Sequence, residues 1–234
     1  MDNAALKIED YSFCYSDGTP ALKDVSIEVP EGQSLGIIGH NGSGKTTLLM
    51  HLVGILMPDE GITVAGLSLS KETLHDVRRK IGYVFQDSRD QLFMSTVLED
   101  VAFGPLNMGL SREEALDKAE DALKAVGMSS EGQRQPYHLS GGEMRRVAIA
   151  SVLAMSPEIL VMDEPSTGLD PKAKRELSGL IAGLSCTCII TSHDLEFVRV
   201  CTDRVVLLNH GSVAADGESN EILANHDLLV ANGL

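Results

Sequence analysis

Three short runs of this chain hold residues whose types and spacing could do chemistry. The first, Gly39-His40-Asn41-Gly42-Ser43-Gly44-Lys45-Thr46, sets two glycines five positions apart ahead of a lysine and a hydroxyl residue. Glycines at that spacing let successive backbone N–H groups curl around phosphate oxygens, and a helix opening at the end of the loop adds the partial positive charge of its N-terminus. Lys45 would then reach the β and γ phosphates, and the Thr46 hydroxyl would take one position on Mg²⁺, a cation that seeks oxygen and keeps most of its water. The second run, Ile159-Leu160-Val161-Met162-Asp163-Glu164, is an apolar strand ending in adjacent carboxylates. Neighbours on a strand point to opposite sides, so the two acids are expected to do different jobs. Asp163 would face Mg²⁺ through water, and Glu164 would orient and deprotonate an attacking water. The third run, Leu139-Ser140-Gly141-Gly142-Glu143, is a glycine turn ahead of a helix.

These runs need elements to position them. Strands are expected at Leu6 to Phe13 and Ala21 to Val29, with Asp17-Gly18 as a turn between them, and at Ser34 to Ile38, which leads straight into the glycine loop. A helix is expected from Thr46 to Leu56, ended by Pro58, followed by strands at Ile62 to Val64 and Ile81 to Phe85. Helical character begins at Val97 to Phe103, breaks at Gly104-Pro105, resumes over Ala115 to Val126 behind a Ser111/Glu114 cap, and returns from Gly141 to Ala154. Strands at Ile159 to Met162, Thr187 to Thr191 and Arg204 to Leu208 alternate with helices near Lys172 to Leu184 and Leu195 to Cys201. Such alternation implies an α/β fold with a largely parallel sheet, whose ligands sit at the carboxyl ends of the strands. The motifs fall there.

The formal charge of −15 repels phosphate backbones, so nucleic acid is a poor partner. Leu177 to His193, the longest uncharged stretch of interest, is interrupted by glycines and falls short of the roughly 20 apolar residues that a bilayer requires. Met1 to Asp10 carries acids and lacks the basic start and apolar run of a secretory signal, so the chain is expected to stay in the cytoplasm. Cys14, Cys186, Cys188 and Cys201 are scattered and read as buried reduced thiols. His51, His75, His138, His210 and His226 lack ligand spacing, and His40 reads as a neutral loop residue.

With the phosphate loop and the Asp-Glu strand in this order, Leu139 to Glu143 carries a resemblance covering Ile8 to about Ile222. The chain resembles the nucleotide-binding subunits of ABC transporters, whose signature is Leu-Ser-Gly-Gly-Gln, with Glu143 departing at the last position. The resemblance implies a P-loop NTPase core formed by residues 1–86 and 159–234, including an N-terminal antiparallel β subdomain. It also implies a helical subdomain over residues 87–158 that carries the signature. It implies ATP hydrolysis with ATP and Mg²⁺ as cofactors. The implied nucleotide contacts are Tyr15, Gly39, Asn41, Gly42, Ser43, Gly44, Lys45, Thr46 and Thr47, with Gln86 as a Mg²⁺ ligand beside Thr46 and Asp163. Phe13 and Tyr11 are rivals to Tyr15 for stacking on adenine. His193 would touch the γ phosphate, and Asp170 would lie on the loop that communicates between paired subunits. Ser140, Gly141 and Gly142 of a second subunit would cap that phosphate.

The implied partners are a second copy or a paralogous ATPase, and integral-membrane subunits that hold the chain at the cytoplasmic face of the membrane. The run from Val84 to Phe93 and from Thr96 to Pro105 resembles energy-coupling-factor transporters, especially cobalt and nickel importers, and would face the membrane protein. Vitamin-type members often carry a longer carboxyl-terminal extension, so a chain that stops at Leu234 leans toward the metal branch.

Overall fold

The computed structural model describes residues 4–58 and 60–234, so the part of the amino-terminal reading that falls on Met1–Asn3 lies outside the described residues. Two sheets organise the chain. The smaller is antiparallel, with β1 (Ala4–Cys14) paired on one side with β2 (Pro20–Pro30) and on the other with β4 (Ile62–Val64), which pairs with β5 (Leu67–Ser68). The larger has the order β10-β9-β3-β8-β7-β6, formed by β3 (Ser34–Ile38), β6 (Ile81–Val84), β7 (Ile159–Asp163), β8 (Thr187–Thr191), β9 (Arg204–Asn209) and β10 (Ser212–Glu218). Its pairs are parallel except that β10 returns antiparallel on β9. Every residue of β7 and β8 is buried, which is why both read as apolar runs and not as alternating strands.

Helices α1 (Lys45–Leu52), α2 (Leu74–Lys80), α6 (Pro171–Ala182) and α7 (Leu195–Cys201) accompany these strands. Between β6 and β7 the chain makes α3 (Val97–Asn107), α4 (Arg112–Ala125) and α5 (Gly141–Leu153). Ser111 and Ser140 cap α4 and α5 as complete capping boxes with Glu114 and Glu143. Val101, Ala119, Leu123, Val147 and Ile149 join these helices in one buried cluster that continues into Leu160 and Met162 of the sheet. The short helices α8 (Ser219–Ala224) and α9 (His226–Ala231) close the described chain.

Several expectations are corrected. The helix α3 runs through Gly104-Pro105 instead of breaking there. A Cβ on Gly104 would stand 2.7 Å from the Met155 side chain, so this glycine serves the close approach of α3 to the segment after α5, while Pro105 costs the helix one N–H donor. The helix α1 stops at Leu52, before Pro58 is reached, because Gly54 takes φ +63° and its N–H bonds the His51 carbonyl at 2.9 Å. Cys14 is exposed and Cys186 half-buried, and only Cys188 and Cys201 are buried. Beyond the last strand expected from the sequence the chain adds β10, α8 and α9. The β9–β10 hairpin turns on His210 and Gly211, both at positive φ, the geometry of a tight two-residue turn.

Gly82 on β6 faces α5, and a Cβ there would lie 2.1 Å from the Val152 side chain. Gly82→Ala is therefore expected to cost about 1–3 kcal/mol by forcing β6 and α5 apart. A urea melt with an unchanged midpoint would show that the α5–sheet contact is looser than this distance indicates.

Candidate nucleotide site

The site is built where β3, β7 and β8 end. Leaving β3, the loop doubles back at Gly39, φ +152°, where a Cβ would meet the Leu208 carbonyl at 2.3 Å, and at Gly44, φ +107°, where it would meet the Ala21 carbonyl at 2.7 Å. Only glycine fits both positions, and α1 starts immediately after the second. Lys45, 6% exposed, folds back so that Nζ donates to the carbonyls of Gly39 at 2.7 Å and His40 at 3.1 Å. Burial pushes its ammonium below the usual lysine range, while the charges of Glu164 and Asp163 pull it back up.

Asp163 closes β7 with a buried carboxylate that accepts from the Thr191 hydroxyl at 2.6 Å and the Tyr83 hydroxyl at 3.3 Å. Burial, with Asp163 alongside, pushes the Tyr83 phenol well above its ordinary value, so Tyr83 is a donor to that carboxylate. Glu164 follows the strand with φ +46°, a left-handed conformation that is strained for a residue with a side chain. Its backbone N–H is held by the Thr191 carbonyl and hydroxyl, both at 3.1 Å. That twist turns the Glu164 carboxylate toward His193, whose Nδ1 lies 2.7 Å from Oε2 and whose backbone N–H donates at 3.3 Å. The two neighbouring acids therefore face different partners, through the bend after the strand as well as through strand alternation.

A cleft of about 390 Å³ is lined by Tyr15, Asn41, Gly42, Gly44, Lys45, Thr46, Thr47, Gln86, Glu164 and His193, so the structure brings most of the expected residues together. Thr46 and Gln86 also line an adjoining groove of about 700 Å³ with Asp163, Phe85, Arg145 and Gly141. Gly39 and Ser43 shape the loop from beneath, where the Ser43 hydroxyl is buried and has no hydrogen-bond partner among the described residues. Ser140 and Gly142 do not reach the nucleotide cleft. They line a separate hollow with Glu143, Asp170 and Lys172. The Ser140 N–H and hydroxyl both donate to the Glu143 carboxylate at 2.8 Å, and these bonds hold that carboxyl below the usual carboxylate range. Asp170 caps α6 through the N–H groups of Lys172 and Ala173.

The donors fit Mg²⁺. Thr46, Gln86 and Asp163 offer oxygen, and the Asp163 carboxylate is 3% exposed with no basic side chain at ion-pair distance among the described residues.

Of the three aromatics weighed for the base, Tyr11 is buried and Phe13 packs edge-on against His51 and Tyr15. Tyr15 lines the cleft, with its hydroxyl 2.8 Å from the Thr47 hydroxyl. Sequence reasoning missed Tyr83 and Thr191, although a polar residue ending the apolar strand before Ser192-His193 was a visible signal for Thr191. Leu92, read as displayed to a partner, is buried in the helical cluster. Phe93 beside it is 63% exposed and stacks edge-on against Phe103 with centroids 5.0 Å apart.

A glycine loop between strand and helix, a buried lysine opening that helix and a carboxylate pair at the end of the next strand but one of the sheet define a P-loop ATPase. The ABC transporter family model matches residues 22–167. The chain is 45% identical to the energy-coupling factor transporter ATP-binding protein of Carboxydothermus hydrogenoformans, covering 99% of this chain and 87% of that one. Among solved structures, CbiO1 of Clostridium perfringens, part of the ABC transporter complex CbiONQ, superimposes with a TM-score of 0.88 at 36% identity over 98% of this chain and 94% of that one. The cassette MJ0796, solved as a dimer in a post-hydrolysis state with ADP and Pi, gives 0.81 at 31% identity over 92% and 98%. The chain belongs to the ABC transporter family, as an ATPase subunit of energy-coupling-factor type. No helix among the described residues is long and apolar enough to cross a membrane.

The Tyr15 ring should stack on adenine, a contact worth on the order of 1 kcal/mol. Tyr15→Ala is expected to weaken ATP binding severalfold and Tyr15→Phe much less, read by titration of a fluorescent ATP analogue. Parent-like binding by Tyr15→Ala would move the platform to Phe13.

Proposed function

We propose that this chain hydrolyses ATP between two facing subunits to drive uptake of a transition-metal cation through separate membrane subunits at the cytoplasmic face. The observation that carries the two-subunit reading is the separation of the nucleotide cleft, with Lys45, Glu164 and His193, from the hollow holding Ser140 and Gly142. A phosphate on the loop of one subunit can be capped by the signature turn of another, whether a second copy or a paralogue. The dimeric state of the cassette MJ0796 supports that arrangement.

In this reading Lys45 leaves the loop carbonyls for the β and γ phosphates, and Tyr15 holds the base. Thr46, Gln86 and Asp163 would hold Mg²⁺, which when bound would neutralise charge developing on the phosphates. Glu164, oriented by His193, accepts a proton from water as its oxygen attacks the γ phosphorus and the bond to the bridging oxygen of ADP breaks. His193 meets the γ phosphate through the ring atom that Glu164 does not occupy. Exposed Phe93 and Phe103, whose rings meet edge-on, and exposed Leu106 supply an apolar docking surface for the membrane subunit. The resemblance of Val84 to Pro105 to cobalt and nickel importers supports a metal cargo, with a vitamin as the second reading.

Glu164→Gln keeps size and hydrogen-bonding reach but removes the accepting charge, so turnover should fall roughly 10²-fold or more while ATP still binds. With Mg-ATP the variant should elute as a dimer in size exclusion, and Ser140→Arg added to it should return the monomer. Hydrolysis at the parent rate would sink the assignment of Glu164. Membranes holding the copurified complex should take up labelled Co²⁺ or Ni²⁺, and uptake of a labelled vitamin instead would overturn the metal cargo.

A further inference from the structure

Arg145 on α5 is 4% exposed, yet no carboxylate stands at ion-pair distance among the described residues. Removing an unpaired guanidinium from water is costly, and burial pushes it below its ordinary value, with only the more distant charge of Asp87 opposing. Asp87 is itself engaged by Arg89 at 2.6 Å. What Arg145 holds is backbone. Its Nη1 donates to the Phe85 carbonyl at 2.6 Å and its Nη2 to the Gln86 carbonyl. A second tie runs through Gln91, whose Oε1 accepts from the Phe85 N–H at 3.1 Å while its Nε2 donates to the Ala148 carbonyl at 2.7 Å and the Ser151 hydroxyl at 2.9 Å. Three backbone groups of Phe85 and Gln86 are thus fixed to α5, whose N-terminus is the Ser140 turn. Phe85 and Gln86 are otherwise exposed and lie beyond the end of β6.

We infer that Arg145 is a positioning residue for ATP hydrolysis: it clamps the Phe85–Gln86 backbone to the signature helix, so that Gln86 is held at the Mg-ATP site by the same helix that presents Ser140. An apolar side chain could fill this interior without the cost of a buried charge, and could not bond either carbonyl. The inference rests on the reading of Gln86 as part of the Mg-ATP site.

The test is a double-mutant cycle on steady-state ATPase and on Mg²⁺-dependent binding of a fluorescent ATP analogue, against Mg²⁺ and ATP concentration, using the parent, Arg145→Gln, Arg145→Lys, Gln86→Ala and the Arg145→Gln/Gln86→Ala pair. Arg145→Gln should lower kcat roughly tenfold and raise the Mg²⁺ concentration for half-maximal rate, with KM for ATP within about twofold. Arg145→Lys, which keeps the charge and the donors but not the planar fork, should recover part of the loss. If Arg145 acts through Gln86, the double variant should be no slower than Gln86→Ala alone. Effects that multiply in the double variant would make Arg145 merely structural and overturn the proposal. Parent-like Arg145→Gln beside an impaired Gln86→Ala would overturn it alone, whereas a parent-like Gln86→Ala would remove the reading of Gln86 and the proposal with it. Should Arg145→Gln fail to fold, Gln91→Leu releases the same segment from its other side and must show the same Mg²⁺ shift for the proposal to stand.

Discussion

A buried lysine ammonium beneath a tight glycine loop is the constraint on which the rest of this structure depends. Lys45 is almost wholly out of water, satisfied by the carbonyls of Gly39 and His40 and faced by the charges of Asp163 and Glu164. A charge in that position is tolerable only if every partner is fixed. The loop is fixed by two glycines that no larger residue could replace without striking the Leu208 or Ala21 carbonyl. The acids are fixed by β7, which lies next to β8, and by Thr191 at the end of β8, which bonds both of them. Fully buried strands packed on apolar helices place these ends within reach of one another, so the apolar core exists in register with the chemistry it supports.

The second organising feature is that the helical region between β6 and β7 is tied to the nucleotide site by polar contacts at one short segment. Phe85 and Gln86 leave β6 and are bonded to α5 through Arg145 and Gln91. The helix that begins at the Ser140 turn thereby holds the loop that lines both the nucleotide cleft and the adjoining groove. Phe93 and Phe103, exposed and stacked edge-on, belong to the same region. Gln91, two positions before Phe93, bonds the Phe85 N–H, so that region has a short covalent and hydrogen-bonded route to Gln86.

What the sequence made legible is what it writes contiguously. The phosphate loop, the strand ending in Asp163-Glu164 and the capping boxes at Ser111 and Ser140 each lie within a few residues, and their local geometry follows from residue type. The parallel sheet was legible from alternation of apolar strands and amphipathic helices. Contacts made across the chain were not. Tyr83 reaches Asp163 from 80 positions away, and Arg145 reaches Phe85 from 60. Gly104 reads as a breaker until Met155 is seen packed against it, and Leu92 reads as surface until the helical cluster closes over it. The left-handed turn at Glu164 is likewise set by Thr191 and not by its own neighbours.

The most direct test of the central claim is calorimetric titration of Mg-ATP into the parent and into Lys45→Ala, with circular dichroism to check that the fold is kept. Charge-assisted hydrogen bonds of this kind contribute about 1.5–3 kcal/mol, so the account predicts that Lys45→Ala keeps its fold while losing roughly ten- to a hundredfold in affinity and losing hydrolysis altogether. A folded Lys45→Ala that binds and hydrolyses Mg-ATP like the parent would contradict it.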